Sequence, residues 1–244
     1  VRTIGLIGGM SWESTQEYYR IINQHVREKL GGLHSAQCIL YSVDFEKVER
    51  LQHKGKWREL AALMASIARK LEDAGAQGIV ICSNTMHKAA EDVQKSLNIP
   101  LIHMVDATAI EIKRRGLRKV ALLGTRFTME DEFYRRRLKE KHGIETIIPV
   151  EKDRAKTHRI IYRELCRGIV KQSSRKELAG IVRRLAARGA QGVILGCTEL
   201  PLLLKQEDAA IPLFNTTEIH AKAAVDYMLS QPTSGAARRF KHTR

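Results

Sequence analysis

The chain is 244 residues long, 43% hydrophobic and strongly basic, with a formal net charge of +15. That length and composition suit one large or two small domains with a real core, and no apolar run reaches the roughly 18 residues of a membrane span. The opening Val1-Arg2-Thr3-Ile4-Gly5-Leu6 reads as a strand rather than a signal peptide, so a cytoplasmic protein with no membrane partner is expected.

Basic residues cluster at Lys113-Arg114-Arg115, Arg135-Arg136-Arg137, Arg183-Arg184 and Arg238-Arg239-Phe240-Lys241. Such a field attracts anions, nucleic acid included. Aromatics at 5% offer no stacking platform for single strands, so the clusters read as solvated helix faces and nucleic acid is not the expected partner. The cysteines Cys38, Cys82, Cys166 and Cys197 form no CxxC pair, and the histidines show no HExxH. Gly5-x-x-Gly8-Gly9 lacks the GxGxxG spacing of a dinucleotide loop. Neither a metal nor a nicotinamide cofactor is expected.

In chain order, residues 3–8 form a short apolar run closed by Gly8-Gly9, a buried strand. Residues 13–29 are helical, with Ser14 and Glu17 spaced as a capping box. A second strand is predicted over 37–43, a helix over 58–74, a third strand over 78–82 and a fourth over 99–104, with Asn84 and Thr85 opening a helix after the third. Further on come strands near 119–124, 144–150, 192–196 and 211–215. A helix over 129–142 has acids first and bases last, as the helix dipole favours. Continuous apolar strands alternating with helices mean an α/β fold whose parallel sheets are covered on both faces.

The chain also repeats itself. Gly75-Ala76-Gln77-Gly78-Ile79-Val80-Ile81-Cys82 matches Gly189-Ala190-Gln191-Gly192-Val193-Ile194-Leu195-Gly196-Cys197, with Gly78 and Gly192 114 positions apart. Gly8 matches Gly124, Ile99-Pro100-Leu101 matches Ile211-Pro212-Leu213, and Leu60, Leu63, Met64 and Ile67 match Leu178, Ile181, Val182 and Leu185. Four features recurring in one order indicate a duplicated unit of about 100 residues.

Ligands of parallel sheets bind beyond the carboxyl ends of the strands. That rule selects Gly8-Gly9-Met10-Ser11, Cys82-Ser83-Asn84-Thr85, Gly124-Thr125-Arg126-Phe127-Thr128 and Cys197-Thr198-Glu199. Both end-of-strand cysteines precede predicted helix N-termini, which would lower a thiol pKa and hold a carboxylate. His87 stands five residues beyond Cys82, where it could support the site. Cys38, within a strand, and Cys166, in a helix predicted over 160–167, are not expected to react.

The segments Gly8-Gly9-Met10-Ser11-Trp12-Glu13-Ser14-Thr15, Cys82-Ser83-Asn84-Thr85-Met86-His87 and Gly196-Cys197-Thr198-Glu199 resemble the three signatures of the aspartate/glutamate racemase superfamily, nearest its bacterial broad-specificity branch. The resemblance runs to about residue 230. It implies two pseudo-symmetric Rossmann-like domains, each a four-stranded parallel sheet, with the active site between them. The domains would be 1–104 with a returning C-terminal helix 215–232, and 105–214, followed by a basic disordered tail over 233–244. It further implies an amino-acid racemase that uses no pyridoxal phosphate and no metal and forms a homodimer.

Cys82 and Cys197 would be the opposed acid/base thiols. Asn84, Thr85, Thr198 and Glu199, with Met10, Thr125 and Thr128, would bind the substrate, and Gln52 could meet its side chain. Aspartate-specific members hold the side-chain carboxylate with a basic residue; the corresponding lysine position falls near Cys166 here, which favours uncharged or varied side chains. Maleate isomerases and hydantoin racemases share the scaffold and are the alternative reading.

Overall fold

The computed structural model describes residues 1–230; the expected basic tail lies outside them. Its first part runs β1 (Ile4–Gly8), α1 (Trp12–Leu30), β2 (Cys38–Ser42), α2 (Phe45–His53), α3 (Trp57–Asp73), β3 (Gly78–Ile81), a 3-10 turn at Thr85–Ala89 and α4 (Ala90–Lys95). Next come α5 (Met104–Arg114), β4 (Lys119–Gly124), α6 (Arg126–Glu130), α7 (Glu132–His142), β5 (Glu145–Ile147) and α8 (Glu151–Arg163). The chain continues through a 3-10 turn at Leu165–Arg167, α9 (Gln172–Ala187), β6 (Val193–Gly196), α10 (Leu200–Leu203), β7 (Leu213–Asn215) and α11 (Thr216–Leu229). Among the described residues no helix is long and apolar enough to cross a membrane.

The strands form two parallel sheets, ordered β2-β1-β3 and β5-β4-β6-β7. Successive strand side chains alternate between sheet faces, and both faces are covered. Ile7, Ile79 and Ile81 pack on Leu60, Met64 and Ile67 of α3. Leu6, Val80 and Cys82 pack on Tyr18 and Ile22 of α1 and Ala221 and Val225 of α11. In the second sheet Leu123, Val193, Leu195 and Cys197 face Ile160 of α8 and Leu178 and Ile181 of α9. Val120, Leu122 and Ile194 face Val105 and Ile112 of α5 and Leu138 of α7. Burial on both faces accounts for uninterrupted apolar strands.

The first sheet has three strands, not the four expected. Residues 99–104 contribute one bridge, Leu101 to Ile79, flanked by Ile79 N–H to Pro100 C=O at 2.9 Å and Ile102 N–H to Ile79 C=O at 2.8 Å. Pro100 has no N–H to extend a ladder, and His103 already caps α5 by accepting the Val105 N–H. The helix expected over 129–142 is two helices, because Asp131 is extended at ψ 141° and restarts the chain as α7.

Helix α1 is capped by backbone position rather than by the Ser14–Glu17 box. Ser11 is its N-cap, and the Ser14 and Thr15 hydroxyls donate to the Ser11 carbonyl at 3.1 and 2.9 Å. Thr15 Oγ1 also accepts the Gly9 N–H at 2.8 Å, which pins the loop after β1. Gly9 lies at φ +90°, and a Cβ there would stand 2.3 Å from the Val43 carbonyl oxygen, so only glycine fits.

Candidate active site

The carboxyl ends of β1, β3, β4 and β6 converge on one cavity of about 20 Å³ lined by residues from both sheets. A space that size holds about one water, so the cleft is closed. Its walls include Met10, Gln52, Asn84, Thr85, Thr125, Cys197, Thr198 and Glu199, as the strand-end rule selected or the resemblance implied. Phe45, Ser83, Ile161, Tyr162 and Cys166 line it too. Cys82 and Thr128 do not.

Strand geometry explains the absence of Cys82. It continues the alternation of β3 on the Val80 side and is fully buried among Leu6, Tyr18, Met104 and Ala221. Burial, then the nearby Cys38, push its thiol pKa well up. The next residue, Ser83, faces the cavity. In the second sheet Cys197 shares the face of Val193 and Leu195. The 114-residue offset that pairs Gly78 with Gly192 therefore pairs Ser83 with Cys197 and Cys82 with Gly196. Matching cysteine to cysteine slips the register by one residue, and a one-residue slip turns a side chain to the other face.

Thr128 lies behind the wall. Its hydroxyl and those of Thr85 and Thr125 form a triangle with 3.1 Å sides, joining the loop after β3 to the loop after β4. Asn84 donates its amide to Thr216 Oγ1 at 3.0 Å, and that hydroxyl donates to the Leu195 carbonyl at 2.8 Å. The buried Asn84 Oδ1 has no partner among the described residues. A buried acceptor without a donor is costly, and a ligand N–H in the cavity would satisfy it.

The centre of the site is Cys197. Its Sγ–H donates to Glu199 Oε2 at 2.8 Å. Thr198 Oγ1 donates to the same oxygen at 3.0 Å, and Ser11 Oγ donates to Oε1 at 2.7 Å. Three donors thus fix one buried carboxylate against one thiol. The thiol is not acidified as the helix-terminus argument expected: burial, then the adjacent Glu199, push its pKa well up. The following helix, α10, is a single turn, too short a dipole to offset desolvation.

Tyr162 spans the far wall, its hydroxyl donating to Gln52 Oε1 at 3.3 Å, while the Gln52 amide rests on Met86 Sδ at 3.3 Å. Cys166, expected in a helix, lies in the 3-10 turn after α8 and reaches the same wall; no periodicity could have signalled that placement. Outside it, His53 and Trp57 meet Phe127 edge-on at 5.6 and 5.5 Å, and His53 meets Tyr162 at 5.5 Å. These contacts bridge the two parts of the molecule over the cavity. Among the described residues no lysine or arginine lines it, and Glu199 is the one carboxylate that does. Among the described residues no cluster of three or more His, Cys, Asp or Glu side chains could hold a metal.

A narrow cleft between two parallel sheets, with a carboxylate-bound thiol at one strand end, is a site for a small molecule. Residues 7–224 match the sequence profile of the Asp/Glu/Hydantoin racemase family, and the chain belongs to that family. It is 25% identical over 235 residues to the broad specificity amino-acid racemase RacX of Bacillus subtilis, covering 93% of this chain and 98% of the relative. Among solved structures it is similar to a candidate Asp/Glu racemase from Yersinia pestis, with 55% identity, a TM-score of 0.88, and coverage of 94% of this chain and 100% of that one. An aspartate racemase homologue from Pyrococcus horikoshii gives 38% identity, a TM-score of 0.79, and coverage of 93% and 99%.

Proposed function

We propose that the chain is an amino-acid racemase that moves protons directly between its side chains and the substrate α-carbon, with Cys197 on one face and Ser83 on the other. The observation that carries this is the buried Cys197–Glu199 pair at the wall of a cavity that Ser83 also lines. The two sequence repeats act as two domains, each giving the cleft two strand-end loops.

Glu199 takes the Cys197 thiol proton, and the thiolate removes the α-proton to leave a carbanion. Ser83 delivers a proton to the opposite face; solvent then restores its hydroxyl hydrogen and takes the proton held by Glu199, so both groups return to their starting states. Asn84 Oδ1 accepts from the substrate ammonium. The hydroxyls of Thr85 and Thr125, turned out of their triangle with Thr128, serve the carboxylate, where charge develops and aimed donors contribute most. A hydroxyl is a far weaker acid than a thiol, so reprotonation from the Ser83 face is the slower step.

The substrate side chain faces Phe45, Gln52, Ile161, Tyr162 and Cys166. With no cation among the described residues of this wall, an uncharged side chain fits and a second carboxylate does not. The site opens for entry at the Gln52–Tyr162 contact and the aromatic seam outside it.

The test is chirality against time for single enantiomers of neutral, acidic and basic amino acids. Racemisation of neutral substrates, lost in Cys197→Ala, supports the reading. Activity confined to aspartate and glutamate overturns the side-chain assignment. No racemisation of any amino acid, with turnover of a hydantoin, overturns the reaction.

A further inference from the structure

We infer that His87 is a positioning residue for the Ser83 proton donor, acting from outside the cavity through the Ser83 main chain. The inference rests on the reading of Ser83 as the opposite-face acid.

His87 is 3% exposed and does not line the cleft. Its Nδ1 stands 2.7 Å from the Ser83 carbonyl oxygen, and its Nε2 stands 3.1 Å from the Met104 backbone nitrogen. A carbonyl only accepts and an amide N–H only donates. The ring therefore carries its hydrogen on Nδ1, donates to Ser83 and accepts from Met104. Burial holds its pKa down to about 3, so the neutral ring persists at ordinary pH.

The ring is clamped. It meets His103 edge-on at 4.8 Å and His220 of α11 at 5.5 Å. His220 is held in turn by the Tyr18 hydroxyl at 2.9 Å and the Ile102 carbonyl at 2.7 Å. The loop bearing Ser83 is thereby tied through one imidazole to the first turn of α5. Position 201, related to 87 by the 114-residue offset, is Pro201, which offers no such strut. Cys197 is fixed instead by Glu199. The weaker acid has the dedicated support, as expected where its rate depends on placement.

The experiment compares His87→Gln, His87→Asn and Ser83→Ala by two readouts: inversion of a substrate enantiomer, and deuterium incorporation without inversion in D₂O. Glutamine lacks a donor where Nδ1 sits, whereas the asparagine amide places one there. His87→Gln is expected to lower kcat for inversion about 100-fold, the scale of a misplacement near 1 Å. KM and deuterium exchange at the Cys197 face should stay within about twofold, and His87→Asn should recover most of the loss. Equal loss of inversion and exchange, or wild-type inversion in His87→Gln, overturns the positioning role. Full inversion in Ser83→Ala overturns the underlying reading instead, which the histidine variants alone would not show. Nitrogen-15 NMR of the wild-type enzyme needs no variant to fold: the account expects the Nδ1–H tautomer at His87, and an Nε2–H tautomer overturns it.

Discussion

The loops after β3 and β6 occupy equivalent places in two sheets of matching strand order, yet they differ where it matters. One offers Ser83 braced from behind by His87. The other offers Cys197 with Glu199 against its thiol. On the proposed reading the two loops are the two chemical faces of the site, and nothing requires the faces to stay equal. In a two-sided proton transfer the weaker face then limits the overall rate while the stronger one still exchanges protons.

The sharpest way to break the comparison is to remove each cysteine in turn. Cys197→Ala should lower α-proton exchange by about 10²–10⁴-fold, the range for loss of a positioned acid/base group. Cys82→Ala should leave kcat within about twofold and instead lower stability by about 1 kcal/mol through a small cavity in the apolar cluster. Turnover assays and denaturant midpoints on both variants check this; loss of activity in Cys82→Ala alone would reverse the assignment.

Making the loops more alike is the next test. Ser83→Cys should raise the rate of inversion about tenfold or more by supplying a stronger acid on the second face. Steady-state polarimetry reads this directly, and a variant slower than wild type would count against Ser83 as the donor.

The smallest effect concerns acid stability, and it also belongs to the Ser83 side. Burial, then neighbouring histidines, lower the pKa of His87 and His220 to about 3. The unfolded chain binds these protons near pH 6.5, so stability is full above that value and falls as pH drops toward 3. Each ring contributes a slope of about 1.4 kcal/mol per pH unit in that window. Urea titrations at pH 7, 5.5 and 4.5 measure it, and His220→Asn should flatten the curve.

Much of this was legible in the sequence. The apolar runs located the strands, the strand-end rule selected the loops that build the cleft, and the internal repeat tied the two sheets together. Cys197, Glu199, Asn84, Thr85, Thr125 and Met10 follow from position alone, and Gln52 from the resemblance. The 114-residue offset also sets Ser83 against Cys197, one position from the cysteine-to-cysteine match. Tyr162, Ile161 and Cys166 were not legible as a group, because only the packing of α8 and its 3-10 turn against α2, which bears Gln52, brings them to the cavity. The thiol pKa direction depended on burial in a closed cleft, which a motif does not encode.

The central claim is the inequality of the two faces, and one measurement addresses it most directly. A single enantiomer of a neutral amino acid is incubated in D₂O with the wild-type enzyme and with Ser83→Cys, and α-deuterium content and chirality are followed together. The account predicts that the wild-type enzyme incorporates deuterium into unreacted substrate of one enantiomer faster than it inverts it, and that Ser83→Cys brings the two rates together. Equal rates in the wild-type enzyme from both enantiomers, unchanged in Ser83→Cys, would contradict it.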